Sequence, residues 1–251
     1  MTSAVHFIMQ GKGGVGKSVV ARLLQEYMIA AERDYVGFDA DPVNQTFAAH
    51  GSDRIKTVDL LDGNRIVPQR FDEMIEEISE HEGKAIIIDT GASSFLPFMD
   101  YIDKTGNIEL LQEEGFEVFI HTVVTGGTSA KDTVYGFLEL SKRFGESCNI
   151  IVWENSYFDP VRVDGKSFTE MEDVAKAFAD ERVSALMELD KEYELVEEDL
   201  KRFLEQGESF AQASDKGNKT FNLATRKRLR DLGNKYFQML DPVIGVKSDD
   251  A

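Results

Sequence analysis

Cysteine is almost missing from this chain: Cys148 is the only one in 251 residues. One thiol excludes an internal disulfide framework and any multi-cysteine metal or iron–sulfur cradle within a single chain. Proline is scarce, at five residues. No Pro/Gly cluster is long enough to be an interdomain linker, and no internal repeat is present, so a single domain spanning 1–251 is the economical reading. No uninterrupted apolar run approaches the roughly 18–20 residues of a membrane span. Met1 to Gln10 is one short apolar stretch, without a basic n-region or a small-residue cleavage site. No export signal is therefore expected. These absences point to a soluble, cytoplasmic protein without stable membrane insertion.

Positive charge is also in short supply. The chain has 28 Lys+Arg against 46 Asp+Glu, a net charge of -18. Such a field repels nucleic acid and anionic lipid at long range. One stretch runs the other way: Lys216, Lys219, Arg226, Lys227, Arg228, Arg230 and Lys235 face a single acid, Asp231. Just before it, about 164–208 is strongly acidic. Both runs read either as solvated helix faces or, for the basic one, as a local contact surface.

What the chain does have is a 42% hydrophobic content, enough for a real core. Short apolar runs alternate with amphipathic stretches, the form of an α/β sheet with helices on both faces. Strands are predicted at Ala4–Met9, Tyr35–Phe38, Lys84–Ile88, Phe116–Val124, Asn149–Trp153 and Val183–Met187. After the first, Val19, Val20, Leu23, Leu24, Tyr27, Met28 and Ala31 recur at helical spacing. A second helix is predicted from about Thr128 to Phe144. A capping box, Ser167-Phe-Thr-Glu170, predicts another running toward Ala179. The part from 193 to 241 reads as helical, and Leu229, Leu232, Tyr236 and Leu240 give the last helix one apolar stripe.

The sharpest motif is Gly11-Lys12-Gly13-Gly14-Val15-Gly16-Lys17-Ser18, a G-x-x-x-x-G-K-[ST] phosphate loop between a strand and a helix. Its glycines let backbone N–H groups turn inward and approach phosphate oxygens closely. The helix beginning near Lys17, with Ser18 and Val19 in its first turn, aims its positive dipole end at the same group. In such a loop Lys17 bridges β- and γ-phosphates and the Ser18 hydroxyl ligates Mg²⁺ directly. Nucleotide motifs are read over 9–44, 84–95 and 149–157. The second strand ends Asp39-Ala-Asp41-Pro-Val-Asn44, a carboxylate pair one βα unit after the loop. A carboxylate there can orient an attacking water or hold one of magnesium's waters. The third ends Ile86-Ile-Ile-Asp89, apolar residues leading to a terminal aspartate that would hold Mg²⁺ through water. A guanine-reading Asn-Lys-x-Asp box is not found. Asn218-Lys219 and Asn234-Lys235 are followed by Thr220-Phe221 and Tyr236-Phe237, so ATP/ADP is expected over guanine nucleotides.

The early lysine makes the loop Lys-Gly-Gly-x-x-Gly-Lys-Ser, which resembles the deviant Walker A loop of the MinD/ParA group of P-loop ATPases. The resemblance implies a P-loop NTPase-like, mostly parallel sheet. It also implies that Lys12 reaches the nucleotide of a second subunit across an ATP-state homodimer. It gives Asp41 the hydrolytic water, Asp39 a supporting magnesium-side role, and Asn155, in Trp153-Glu-Asn155, the adenine edge. A loop asparagine capping a turn is the competing reading for Asn155. The chain departs from the partition ATPases after Asp89, where Gly91-Ala-Ser-Ser94 replaces a proline pair.

Longer stretches resemble the TraL-type conjugal transfer proteins of plasmids. These are Asp89-Thr-Gly-Ala-Ser-Ser-Phe95, His121-Thr-Val-Val-Thr-Gly-Gly127, Val152-Trp-Glu-Asn-Ser-Tyr157, Gly165-Lys-Ser-Phe168 and Arg182-Val-Ser-Ala185. This resemblance implies an ATPase of a plasmid transfer or maintenance region acting on a protein client.

Three function classes follow. One is a nucleotide-switched dimer that grips or frees its client once per cycle of ATP hydrolysis. The second is a small-molecule enzyme on the same fold. A dethiobiotin-synthetase-like version needs a second substrate pocket, and an iron–sulfur-reductase-like one needs two cysteines per subunit. The third is a DNA- or membrane-binding module, with Arg226, Lys227, Arg228 and Arg230 as non-specific DNA contacts. The acidic end Lys247-Ser-Asp-Asp-Ala251 disfavours a lipid anchor. Outside these motifs, His121 reads as a core histidine and Cys148 as a buried, inert thiol. Gly126-Gly-Thr-Ser129 reads as a loop in which Thr128 or Ser129 caps the next helix.

Overall fold

A computed structural model describes residues 3–41, 45–49, 53–63, 65–157 and 159–245. Pro42, Val43 and Asn44 of the second motif, and the 247–251 tail, lie outside them. Along the chain the first half runs β1 (Ser3–Ile8), α1 (Lys17–Ala30), β2 (Tyr35–Ala40), α2 (Thr46–Ala49), β3 (Ile55–Thr57), β4 (Leu61–Asp62), β5 (Arg65–Ile66), α3 (Pro68–Ser79) and β6 (Ala85–Thr90). Then come α4 (Phe95–Thr105), α5 (Asn107–Glu113), β7 (Phe116–Thr125), α6 (Ala130–Phe144) and β8 (Asn149–Asn155). The rest is β9 (Arg162–Val163), β10 (Lys166–Ser167), α7 (Glu172–Ala179), β11 (Ala185–Leu189), α8 (Glu194–Gln206), α9 (Phe210–Ser214) and α10 (Leu223–Ile244).

Seven strands form one parallel sheet in the order β11-β8-β7-β1-β6-β2-β3. The three strands at its centre are buried at nearly every residue, because a parallel sheet covered on both faces has no solvent side. Alternation along β1 then divides the core. Val5 and Phe7 pack with α3–α7, including Phe71, Phe98 and Phe137. Ala4 and Ile8 pack with α1 and α8–α10, including Leu24, Phe203 and Leu232. After β6 the chain crosses from one side of β1 to the other. That places the topological switch, and the crevice it opens, at the carboxyl end of β1.

All six predicted strands are present, each ending within two residues of expectation. β11 starts two residues late, because Glu181 turns through φ 56° and the Arg182 N–H closes onto the Ala177 carbonyl. Ala31 lies past the end of α1, not on its apolar face. The capping box forms, with the Ser167 N–H donating to Glu170 (2.9 Å), but it opens a single 3₁₀ turn and α7 begins only at Glu172. The expected Thr128/Ser129 cap is corrected. A 3₁₀ turn spans Gly127–Ser129, and Ser129 makes no side-chain cap to α6. Thr133, one turn into α6, instead takes the Thr125 N–H on its hydroxyl (3.1 Å). No helix among the described residues is long and apolar enough to cross a membrane.

Candidate functional site

Gly11–Ser18 joins β1 to α1 at the switch point. Gly14 (φ 74°) and Gly16 (φ 108°) are left-handed, a conformation that would strain any side chain there. Gly16 is the N-cap of α1, and neither a capping side chain nor an acid occupies that first turn. The first N–H groups of the helix, which have no partners inside it, are thus left to a ligand. Gln10, which motif reading passed over, sets where the loop starts. It is 1% exposed; its amide NH₂ donates to the carbonyls of Val123 (2.9 Å) and Thr133 (3.1 Å) while its Oε1 accepts the Gly11 N–H (2.8 Å). A Cβ on Gly136 would stand 2.6 Å from that Oε1, so α6 must approach here with glycine.

Register brings the carboxylates to the loop. Ile8 pairs with Asp89 and Asp89 with Asp39, so two aspartates line up at the ends of neighbouring strands beside β1. Asp39 is fully buried and works locally: it accepts the N–H groups of Asp41 (3.2 Å) and Ala48 (2.8 Å). Burial raises its pKa even so, because those bonds offset only part of the desolvation. Asp89 is different. It is 1% exposed, and neither carboxylate oxygen has a hydrogen-bond partner within the described residues. Burial pushes its pKa up to about 7; Asp39 and Asp41 add to the rise, while the nearby Ser18 hydroxyl and Lys17 oppose it. Lys17 is buried too, with its Nζ 3.2 Å from the Lys12 carbonyl that accepts from it. Desolvation lowers its pKa, against the pull of Asp89 and Asp41.

A buried anionic group without a donor, beside a serine hydroxyl and below a phosphate-type loop, suits a hard cation with oxygen ligands. The residues present therefore fit magnesium, with Ser18, Asp89 and Asp39 around it.

Lys12 lies in the loop with its ammonium 3.0 Å from Asp132 of α6, both side chains largely exposed (42% and 62%). Val15 is buried, and its carbonyl accepts the Asn155 side-chain N–H (2.9 Å). Asn155 Oδ1 accepts from the Tyr157 N–H (3.0 Å), so this amide ties the end of β8 to the P-loop. Behind the loop lies a cavity of about 440 Å³. Val19, Phe47, Leu189, Leu200, Leu204 and Tyr236 give it apolar walls, with Asn155 and Gly16 at the loop side. The α8 wall has no counterpart in the sequence motifs, although Leu200 and Leu204 stand one helical turn apart, and Tyr236 belongs to the predicted stripe of α10.

The other singled-out residues have structural partners. His121 is fully buried; its Nδ1 accepts from Trp153 Nε1 (3.1 Å), its Nε2 lies 3.1 Å from His6 Nδ1, and burial holds its pKa down at about 3. Cys148 is half-buried, its thiol pushed up to about 12 by burial. The basic run is engaged with the chain itself. Arg226 donates to the carbonyls of Asp215 (3.0 Å) and Lys216 (2.5 Å), and Arg228 Nε lies 2.6 Å from buried Asp199. Lys227 and Arg230 share Asp231, and Lys235 contacts Asp190 and Glu192.

Fold and loop together define a P-loop nucleotide-binding protein. The chain belongs to the CobQ/CobB/MinD/ParA nucleotide-binding family, whose domain matches residues 6–247. It is similar to two Escherichia coli proteins, each named Protein TraL. One is 35% identical over 240 residues, spanning 94% of this chain and 97% of the relative; the other is 34% identical over 238 residues with the same coverage. Among solved structures, a ParA family ATPase from Chlorobium tepidum TLS superposes with TM-score 0.51 at 16% identity, over 93% of this chain and 98% of that one. The MinC:MinD cell division protein complex of Aquifex aeolicus gives TM-score 0.50 at 15% identity, over 92% and 96%. At these identities the structures speak for the fold.

Proposed function

We propose that this protein is an ATP-driven switch of plasmid conjugal transfer or maintenance, acting in the cytoplasm on a protein client. The observation that carries the reading is the buried Asp89 carboxylate, without a hydrogen-bond partner of bonding geometry among the described residues, beside Ser18 and Lys17 and under an uncapped helix start. A metal–nucleotide complex supplies both charges this arrangement calls for: an anion at the N–H groups of Lys12–Val19, the Gly11 N–H being held by Gln10, and a cation at Asp89. In this reading Lys17 holds the β- and γ-phosphates, Ser18 ligates Mg²⁺ directly, and Asp89 and Asp39 reach it through water. Asp41 orients the hydrolytic water.

The 440 Å³ cavity takes the nucleoside, with Asn155 offering its second N–H to the adenine edge. Lys12 acts in trans on a partner's nucleotide. Its exposed contact with Asp132 is of a kind worth under about 1 kcal/mol, so it is readily exchanged. The link to conjugation rests on the similarity to the TraL proteins.

The test is molar mass by light scattering on Asp41→Ala protein, so that ATP persists, in Mg-ATP and in Mg-ADP. Doubling of the mass with ATP alone, lost in Lys12→Ala, is the expected result. A mass indifferent to nucleotide sinks the switch and leaves a conventional enzyme or a constitutive assembly. Non-specific DNA binding through Arg226, Lys227, Arg228 and Arg230 is a second reading with less behind it, since the two arginines nearest the core hold intramolecular contacts.

A further inference from the structure

At the opposite end of the strands from the P-loop the chain builds a second cavity, of about 260 Å³, with charged side chains in its lining. Asp34, Arg54 and Lys84 immediately precede β2, β3 and β6, and the parallel register of those strands gathers them at one edge. Lys56 of β3, His81 just past α3, and Tyr35 line the same cavity. Six residues of strand at about 3.3 Å each separate this edge from the P-loop by about 20 Å.

Four nitrogenous side chains around one cavity run against a chain of net charge -18. Their carboxylate partners are weak ones. Arg54 meets Asp34 at 3.2 Å with side chains 52% and 69% exposed, and Lys56 meets Glu77, also in solvent. Arg54 lies over the Tyr35 ring, its guanidinium carbon 5.3 Å from the centroid. His81 supplies the most specific signal. Lys84 Nζ lies 3.5 Å from His81 Nδ1, and an ammonium has donors only. Nδ1 is therefore the acceptor and the ring proton sits on Nε2. That Nε2 is buried, without a hydrogen-bond partner among the described residues. Burial and the charges of Lys84 and Lys56 keep the ring neutral, against Glu77 and Glu80. A buried N–H donor thus lacks an acceptor on a ring that lines the same cavity as two lysines and an arginine.

We propose that this cavity binds a tetrahedral oxyanion, inorganic phosphate or the phosphoryl group of a small phosphate ester, independently of the P-loop. Four donors arriving from two separate segments, 54–56 and 81–84, suit an acceptor with several oxygens better than a two-oxygen carboxylate.

The experiment follows the ring ¹⁵N resonances of His81 at pH 7 in Lys17→Ala protein, which weakens phosphate binding at the P-loop. His81 is identified by loss of its signals in His81→Gln. Inorganic phosphate and sulfate are expected to shift its Nε2 signal saturably, and acetate to leave it in place. Replacing Lys56 and Lys84 together by alanine is expected to weaken phosphate binding at least about tenfold. Unchanged His6 and His121 ring signals in that variant show that its fold is intact. Glycerol phosphate binding more tightly than inorganic phosphate assigns the ester, and the reverse order assigns the free ion. No saturable shift, an equal response to acetate, or undiminished affinity in the double variant overturns the proposal.

Discussion

Buried charge is handled in opposite ways at the strand ends and between the helices of the α1/α8–α10 face. Between the helices the two most deeply buried acids, Glu26 and Asp199, each meet an arginine. Glu26, 1% exposed, pairs with Arg22 at 2.8 Å and accepts the Phe210 N–H at 2.7 Å. Asp199, 4% exposed, takes Arg228 Nε at 2.6 Å and the Thr225 hydroxyl at 3.1 Å. At the strand ends Asp89 is buried as deeply, and neither of its oxygens has a hydrogen-bond partner among the described residues. A paired buried charge joins helix to helix, whereas an unpaired one weakens the fold unless something else binds it. The difference separates scaffold from site without reference to any motif.

The contrast is broken most strongly at Asp89. Its folded pKa of about 7 lies well above the 3.8 of an ordinary aspartate. The folded form thus holds the proton more tightly than the unfolded chain, and Asp89 lowers stability progressively as pH rises from about 4 to about 7. Asp89→Asn is expected to stabilise the ligand-free protein at pH 8 by up to about 4 kcal/mol, the gain closing as pH falls toward 4. Urea unfolding at several pH values measures it; a variant no more stable than the parent at pH 8 means Asp89 is satisfied after all. Mg-ADP should then raise the urea midpoint of the parent more than that of the variant.

The converse holds in the scaffold. Arg228→Ala leaves Asp199 buried with only a hydroxyl, and should cost about 3 kcal/mol in the same unfolding assay. A loss below about 1 kcal/mol would mean that Asp199 finds water, and that the pairing between α8 and α10 is incidental.

The half of the site contributed by consecutive residues was legible in the sequence. Gly11–Ser18 announces its conformation through its own glycines, and Asp89 announces itself by ending an apolar strand. What the sequence hid depends on distant partners. Gln10 matters because Val123 and Thr133 lie over 110 positions away, and nothing local marks it except a polar side chain ending a buried run. Asn155 was legible as a strand-end amide, but not its bond to Val15. In 62–83 the spacing Phe71, Met74, Ile75, Ile78 does carry a helical signal, amid acids that mask it, and α3 went unread. The basic run was legible as charge only. Some of its neutralising groups lie in or beside the run, at 215–218 and Asp231, but the carboxylates of Asp190, Glu192 and Asp199 come from a segment that no window centred on the run contains.

That last point fixes how the DNA reading is best tested, with the smallest structural effect of all. Arg226 and Arg228 are poor probes, because losing them disturbs loop and core contacts as well as any nucleic-acid contact. Lys227 and Arg230 are exposed and, among the described residues, meet only the exposed Asp231. Replacing both by alanine should leave the urea midpoint where it was. If the ATP state binds duplex DNA through this helix, the double variant weakens that binding for all sequences alike and flattens its salt dependence by up to about two counterions. Unchanged affinity and salt slope in a fully stable variant would remove α10 as a DNA surface, leaving its charges the same task as the rest of that face, which is to hold the helices to one another.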